Sequence, residues 1–494
     1  SNYKPRSTKE ELRENLIKKI SKKELTFPGI IGYEDSVIPD TERAILSRHN
    51  ILFLGLRGQA KTRMARQMVE LLDEYIPVIE GSEINDDPFK PLSKYAKDLV
   101  KEKGDDTPVS WLHRDLRYGE KLATPDVSVA DLIGDIDPIK AANLKLSYAD
   151  ERVIHYGIIP HSNRGIFVIN ELPDLQARIQ VSLFNILEEG DLQIRGFKLR
   201  LPLDIMFVFT ANPEDYTNRG AIVTPLKDRI ESQILTHYPT TIENSLYITE
   251  QEASIHKDQS KRVTVSDLVK RLIEQVSFEA RNSEFVDKKS GVSARLTIAA
   301  FENAVSAAER RTIMNKEKET QVWISDLAGI IPSITGKIEL VYEGEQEGPY
   351  QVAYNLLEKA IRTQFVKYFP SPETSKKRKS KDVAPEENPY KAITHWFDAG
   401  NQLNLFLDLK DEDKLQHLYK VDGLYGLVKK HYPNANAKEN ALLMEFVLHG
   451  LSTFSLISKK VVEGKIEFKD LMGSMMNLSS SSFGDEELED EDLN

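Results

Sequence analysis

A short apolar run, Ile51–Leu54, leads directly into Gly55-Leu56-Arg57-Gly58-Gln59-Ala60-Lys61-Thr62, and that loop leads into a segment of helical periodicity. Few sequence features constrain a fold as strongly. Strand, glycine-bearing loop and helix in immediate succession set backbone N–H groups and a helix N-terminus around an anion. In a phosphate loop of this kind Lys61 neutralises the outer phosphates of a nucleotide and the Thr62 hydroxyl is a Mg²⁺ ligand. Ala60 stands where the glycine before the lysine is usual, and its methyl group restricts the backbone there. The bland alternative is a strand–turn–helix carrying a surface lysine. Met64, Met68, Leu71, Leu72 and Tyr75 predict a one-faced helix over 62–75.

A second apolar run, Gly165-Ile166-Phe167-Val168-Ile169, ends in Asn170-Glu171. In phosphate-loop enzymes the sheet delivers an acidic group to the Mg²⁺ shell at such a strand end. Glu171 is the candidate general base that polarises the attacking water. Asn170 stands where an Asp is usual; its amide can hydrogen-bond a metal-bound water but brings no charge, which predicts weaker Mg²⁺ binding or slower turnover.

Three further positions follow in order. Ile205–Phe209 is a strand running into Thr210-Ala211-Asn212-Pro213, and Asn212 at its end is placed to orient a lytic water. Pro225-Leu226-Lys227-Asp228-Arg229 offers Arg229 to a neighbouring subunit's phosphate. Gly291-Val292-Ser293-Ala294-Arg295 opens a helix from which Arg295 would contact nucleotide. Read singly, these are an Asn-Pro turn, a surface ion pair and a solvated arginine; their order after the phosphate loop gives them weight.

Strand alternating with helix from about residue 30 to 240 argues for a parallel sheet covered by helices. The expected organisation is a helical lead over 1–24, a nucleotide-binding α/β domain over 25–240, an α-helical lid over 241–345, a helix and linker over 346–389, a helical domain over 390–476 and an acidic disordered tail over 477–494. The lead reads as an amphipathic helix on Leu12, Leu16, Ile17 and Ile20. Trp396, Phe397 and the Leu442–Phe454 stripe read as the core of the C-terminal helical domain.

Composition narrows the function. The chain has 494 residues, 40% hydrophobic and 29% charged, as a globular protein does. The absence of cysteine removes disulfides, thiolate metal sites and cysteine nucleophiles. A net charge of −12 argues against nucleic acid as a partner, and the basic run Lys376–Lys381 lacks the interleaved aromatics of a nucleic-acid patch. The histidines show no clustered ligand spacing, so no transition-metal site is expected. No apolar stretch approaches a bilayer span and Ser1–Lys23 has no apolar signal core, so no membrane insertion and a cytoplasmic location are expected.

With these residues in hand, the chain resembles an AAA+ ATPase of the MoxR and magnesium-chelatase ATPase-subunit clade over about residues 25–345. Phe27-Pro28-Gly29-Ile30-Ile31-Gly32-Tyr33-Glu34 is similar to the family's adenine-side entry motif, which makes Ile31 and Gly32 nucleotide contacts alongside Gly55 to Thr62. Asn163-Arg164-Gly165 and Leu187-Glu188-Glu189-Gly190 flank the acidic strand as in the clade. Asn212-Pro213-Glu214, Leu226-Lys227-Asp228-Arg229 and Ser293-Ala294-Arg295 resemble its first sensor, arginine finger and second sensor.

The resemblance implies a doubly wound α/β domain with a helical lid, ATP and Mg²⁺ as cofactors, and a self-associated ring, a hexamer in the family, with nucleotide at subunit interfaces. It implies inserted hairpins, for which 139–164 and 190–204 fit, and a von Willebrand A-type protein partner with which a client is remodelled or a metal inserted. Thr62, Asn170 and Glu171 would hold Mg²⁺, partly through water. The leading expectation is an ATP-driven remodelling machine. A nucleotide-gated scaffold with slow hydrolysis is the alternative that Ala60 and Asn170 favour, and a DNA-directed motor is disfavoured by the acidity.

Overall fold

The computed structural model describes residues 3–148, 150–189, 191–194, 200–213, 221–373, 388–462 and 464–471. Glu214, the basic run Lys376–Lys381 and the acidic tail lie outside them. The chain forms two compact units, Ser1–Pro239 and Thr240–Asn494.

The first unit is built on a parallel sheet of five strands: β1 (Ile51–Leu54), β4 (Tyr118–Leu122), β7 (Gly165–Asn170), β10 (Ile205–Ala211) and β11 (Ser232–Leu235), in the spatial order β11-β1-β10-β7-β4. The central strands β7 and β10 are buried along their whole length, which is why they read as unbroken apolar runs. Successive side chains point to opposite faces. Ile166 and Val168 join the apolar cluster of Leu12, Leu16, Met64 and Met68 on one face, whereas Phe167 and Ile169 join that of Ile159, Leu172 and Ile179 on the other.

The N-terminal helix, Thr8–Ser21, is part of this unit. It starts at a Ser7–Glu10 capping box, and buries Leu12 and Leu16, while Ile17 and Ile20 are exposed. Glu11 pairs with Arg117 through two bonds of 2.7 Å, and the Thr8 N–H donates to Asp204 at 2.8 Å.

The phosphate-loop helix is shorter than its pattern predicts. It spans Lys61–Gln67, tightens into a 3-10 turn over Met68–Leu71 and ends as Leu72 turns extended. Met64, Met68, Leu71 and Leu72 are buried as expected, but Tyr75 opens β2 (Tyr75–Ile79), which pairs antiparallel with β3 (Val109–His113). A five-residue apolar strand following a helix of like composition is indistinguishable from its continuation by periodicity alone.

Of the two segments expected as hairpin insertions, 190–204 holds both strands of an antiparallel pair, whereas 139–164 holds only the second strand of one that starts before it. β5 (Gly134–Ile136) pairs with β6 (Ile154–Tyr156), and β8 (Asp191–Gln193) with β9 (Arg200–Pro202). Gly190 and residues 195–199 lie outside the described residues.

The second unit has one hydrophobic core, running from Val263 to Phe468. The helix Pro349–Tyr368 packs against both Asp267–Asn282 and Ala437–Thr453, so the stretches 241–345 and 390–476 share that core through it. Arg311 is buried with Asp326 and Asp411, which ties the two stretches together by charge as well. After two short paired strands, β12 (Val263–Thr264) and β13 (Thr320–Gln321), the unit carries an antiparallel sheet of β14 (Leu403–Phe406), β15 (Ser458–Val462) and β16 (Lys465–Lys469), in the order β14-β16-β15, inside a region whose pattern reads as helical throughout. The alternations that make these strands, Leu403 with Leu405 and Ile466 with Phe468, are too short to stand out from the surrounding helical period. Among the described residues, no helix is long and apolar enough to cross a membrane.

Candidate nucleotide site

The loop from Gly55 to Ala60 leaves β1 with the Gly55 N–H bonded to the Ala211 carbonyl of β10 at 3.1 Å. Gly58 sits at φ 73° and Ala60, the residue before Lys61, at φ 57° and ψ 15°. The position where a glycine is usual is therefore left-handed, and Ala60 holds it against the clash of its Cβ with the backbone. Lys61 is buried, its ammonium donating to the carbonyl of Gly55, to that of Leu56 at 2.9 Å, and to Asn212 Oδ1 at 2.7 Å.

The entry motif and the chain after β11 brace this loop. The Tyr33 hydroxyl is within hydrogen-bond distance of the Gln59 and His237 carbonyls, 2.9 and 2.8 Å, and its ring meets that of His237 edge-on. Burial pushes the Tyr33 phenol up to about 12, so it remains a neutral donor. The Thr236 hydroxyl donates to Gln59 Oε1 at 2.6 Å, and the Tyr238 hydroxyl to the Arg57 carbonyl at 2.9 Å. Ile31 and Gly32 are half-buried, and the Gly32 N–H is bonded to the Glu34 carboxylate.

The ends of β7 and β10 face the loop. Asn212 Nδ2 donates to Glu171 Oε2 at 2.8 Å, so Lys61, Asn212 and Glu171 form one hydrogen-bonded line. Glu171 itself adopts φ 55° and ψ 50°, a conformation that costs a non-glycine residue and that recurs at functional sites. Its N–H donates to the Thr210 hydroxyl at 3.1 Å. Asn170 Oδ1 accepts from the Thr62 hydroxyl at 3.1 Å and from that of Thr210 at 3.2 Å, while its Nδ2 donates to Glu120 Oε1 at 2.6 Å. Glu120, on β4, also receives a two-pronged bond from Arg66 at 2.9 and 3.0 Å and one from the Tyr118 hydroxyl at 2.9 Å. Burial would raise this carboxyl, but the Arg66 and Tyr118 bonds and the Arg66 charge outweigh it, holding the group below its ordinary range.

Thus Lys61, Thr62, Asn170, Glu171 and Asn212 come together. Arg229 ends the short helix Thr224–Asp228 and is held by Glu188, with Nη2 2.7 Å from Oε2, and by the Phe184 ring beneath its guanidinium. Arg295 is the first residue of the helix Arg295–Asn315 in the second unit and is exposed. Glu120, Arg66, Thr210 and Tyr33 are members that sequence reasoning missed. Tyr33 and Thr210 lay within motifs singled out by it, but for their neighbours; nothing in Tyr118-Gly119-Glu120-Lys121-Leu122 signals a site. The Thr62 hydroxyl and Asn170 Oδ1 meet at 3.1 Å, and with the Glu171 carboxylate next in the chain these oxygens are of the kind that suits a hard divalent cation such as Mg²⁺.

A glycine-bearing loop after β1, an acid after β7 and an asparagine after β10, on a parallel sheet ordered β11-β1-β10-β7-β4, give the first unit the α/β arrangement that the resemblance implies. The chain resembles the AAA+ ATPases of the MoxR and magnesium-chelatase clade. No family model matches it. Among similar solved structures is a provisionally named ATPase of Cytophaga hutchinsonii, 17% identical over 71% of this chain and 96% of that one, with a TM-score of 0.29. Another belongs to the complex between subunits BchI and BchD of magnesium chelatase, 17% identical over 65% of this chain and 98% of that one, TM-score 0.33. A third is NtrX of Brucella abortus in complex with ADP, 13% identical over 74% of this chain and 64% of that one, TM-score 0.35.

Proposed function

We propose that the chain is a MoxR-like AAA+ ATPase that binds ATP with Mg²⁺ in an oligomeric ring and uses hydrolysis to remodel a protein partner. The observation that carries this reading is the line Lys61–Asn212–Glu171 across the mouth of the phosphate loop. A phosphate group entering the loop would draw Lys61 from the Gly55 and Leu56 carbonyls onto its own oxygens. Asn212 would remain beside Glu171 to orient water, and Glu171 would take the proton of the water that attacks the terminal phosphorus as the bond from that phosphorus to the departing ADP oxygen breaks. Thr62, Asn170 and Glu171 would hold Mg²⁺, partly through water, and the bound ion would neutralise phosphate charge. Arg229, on release from Glu188, would reach the nucleotide of a neighbouring subunit, and Arg295 is the candidate second sensor. A ring with a von Willebrand A-type partner, serving as a chaperone for metal insertion, is the finer form of this proposal.

Ala60 in its left-handed conformation and the uncharged Asn170 favour a second reading, a scaffold that assembles on nucleotide and turns over slowly. Steady-state hydrolysis measured against protein concentration, beside Glu171→Gln, separates the two. A rate per subunit that rises with concentration and vanishes in the variant supports the motor. A flat, near-zero rate with intact ATP binding, unchanged by an added partner, supports the scaffold.

A further inference from the structure

Resting on the ATPase reading, the geometry points to Glu120 as the positioning residue that makes Asn170 an acceptor toward the metal side of the site. A carboxylate at position 170 would need no orienting, because both its oxygens accept. An amide has one accepting end and one donating end, and only its oxygen can serve a metal-bound water. Here the choice of end is imposed. Glu120 Oε1 lies 2.6 Å from Asn170 Nδ2, and a carboxylate can only accept. The flipped amide would set two acceptors against each other at that separation. Oδ1 is therefore turned to the Thr62 and Thr210 hydroxyls, the first of which belongs to the phosphate loop.

The register supports the same arrangement. Leu122 of β4 is paired with Asn170 of β7, so Glu120, two residues earlier on the same face of β4, is the diagonal neighbour of Asn170. Arg66, on the phosphate-loop helix, grips Glu120 through both its oxygens and fixes where the carboxylate points. The charge that an Asp would carry at position 170 is thus carried one strand over, at Glu120, with an amide between it and Thr62.

The consequence is that Asn170→Asp, which restores the more usual residue, acts with opposite sign depending on position 120. Beside Glu120 it brings two carboxylates together; beside Gln it gains a donor. The test is the affinity of the intact chain for a fluorescent ATP analogue, in excess Mg²⁺ and in EDTA, for wild type, Asn170→Asp, Glu120→Gln and the double variant. The Mg²⁺-dependent gain in affinity, taken for each protein as the ratio of its two affinities, should fall roughly tenfold in Asn170→Asp and in Glu120→Gln and return in the double variant. If Asn170→Asp changes that gain by the same factor in both backgrounds, or if the Glu120→Gln variants lose affinity in EDTA as well, the positioning role is overturned while the ATPase reading stands. A wild-type chain that binds the analogue in neither buffer overturns the ATPase reading, and the positioning role with it.

Discussion

Asn212 and Glu171 are joined through Nδ2 and Oε2 at 2.8 Å, although they follow different strands and lie forty-one positions apart. The bond uses the donor end of the amide, which leaves Oδ1 for Lys61. Asn212→Ala therefore removes the element that holds the candidate base and the phosphate-loop lysine in one line. Hydrolysis should fall about 10²-fold, the scale of a misplaced reacting group, with ATP affinity changed far less. Single-turnover kinetics beside equilibrium binding checks the split.

Ala60 at φ 57° predicts an unusual sign for a substitution to glycine. Relief of the left-handed clash is worth roughly 1–2 kcal/mol, and the added freedom of glycine in the unfolded chain takes back about 0.5–1 kcal/mol. Ala60→Gly should stabilise the first unit by about 0.5–1 kcal/mol, read as a higher urea midpoint. A lower midpoint would show that the loop does not hold this conformation.

In the second unit Lys414 and Glu445 are fully buried 3.9 Å apart. Lys414 donates to the Ser325 hydroxyl and lies over the Trp323 ring, while Glu445 accepts from the Ile324 N–H at 2.8 Å. Burial raises the Glu445 carboxyl, with Lys414 opposing it. Lys414→Met and Glu445→Gln should each destabilise the unit by about 3–5 kcal/mol, because each leaves its partner unpaired, and the double variant should recover much of the loss. Denaturant unfolding of the four proteins measures the coupling.

His449 gives the same unit a pH response. Burial depresses its imidazole well below 6.5, and the Lys459 and Lys414 charges add to this. Lys459 stands 3.3 Å from Nδ1 and is itself paired with Glu358; Phe468 faces the ring edge-on; Nε2 has no partner among the described residues. The folded chain therefore binds fewer protons than the unfolded one as acid is added. The contribution is complete above about 6.5 and is lost as pH falls below it, with a slope of up to about 1.4 kcal/mol per pH unit. Melting midpoints between neutral and mildly acid buffer should fall more steeply in the wild type than in His449→Leu.

The parts of the site that were legible are those in which chemistry and local structure coincide. Gly55 to Thr62 follows a strand and opens a helix, and Asn170-Glu171 and Asn212 each end an apolar run, so position in the chain announced position on the sheet. Glu120 had no such marker. It belongs to a strand with only half-buried or exposed residues, and its importance arises from pairing with a strand almost fifty residues later. Glu188 lay in a quoted motif, but its pairing with Arg229, forty-one positions later, arises only on folding. The sheet β14–β16 escaped because strands of four or five residues hold too few alternations to be separated from helical period.

The N-terminal helix bears on how this protein can be divided. A fragment cut to begin at residue 25, where the sequence places the start of the nucleotide-binding domain, would strip Glu11 from Arg117 and Thr8 from Asp204, leaving an interior cation and an interior anion without their partners. Such a fragment would misfold for reasons unrelated to ATP, and its inactivity would say nothing about the phosphate loop. The smallest piece in which the site can be judged begins ahead of Ser7, whose hydroxyl caps that helix.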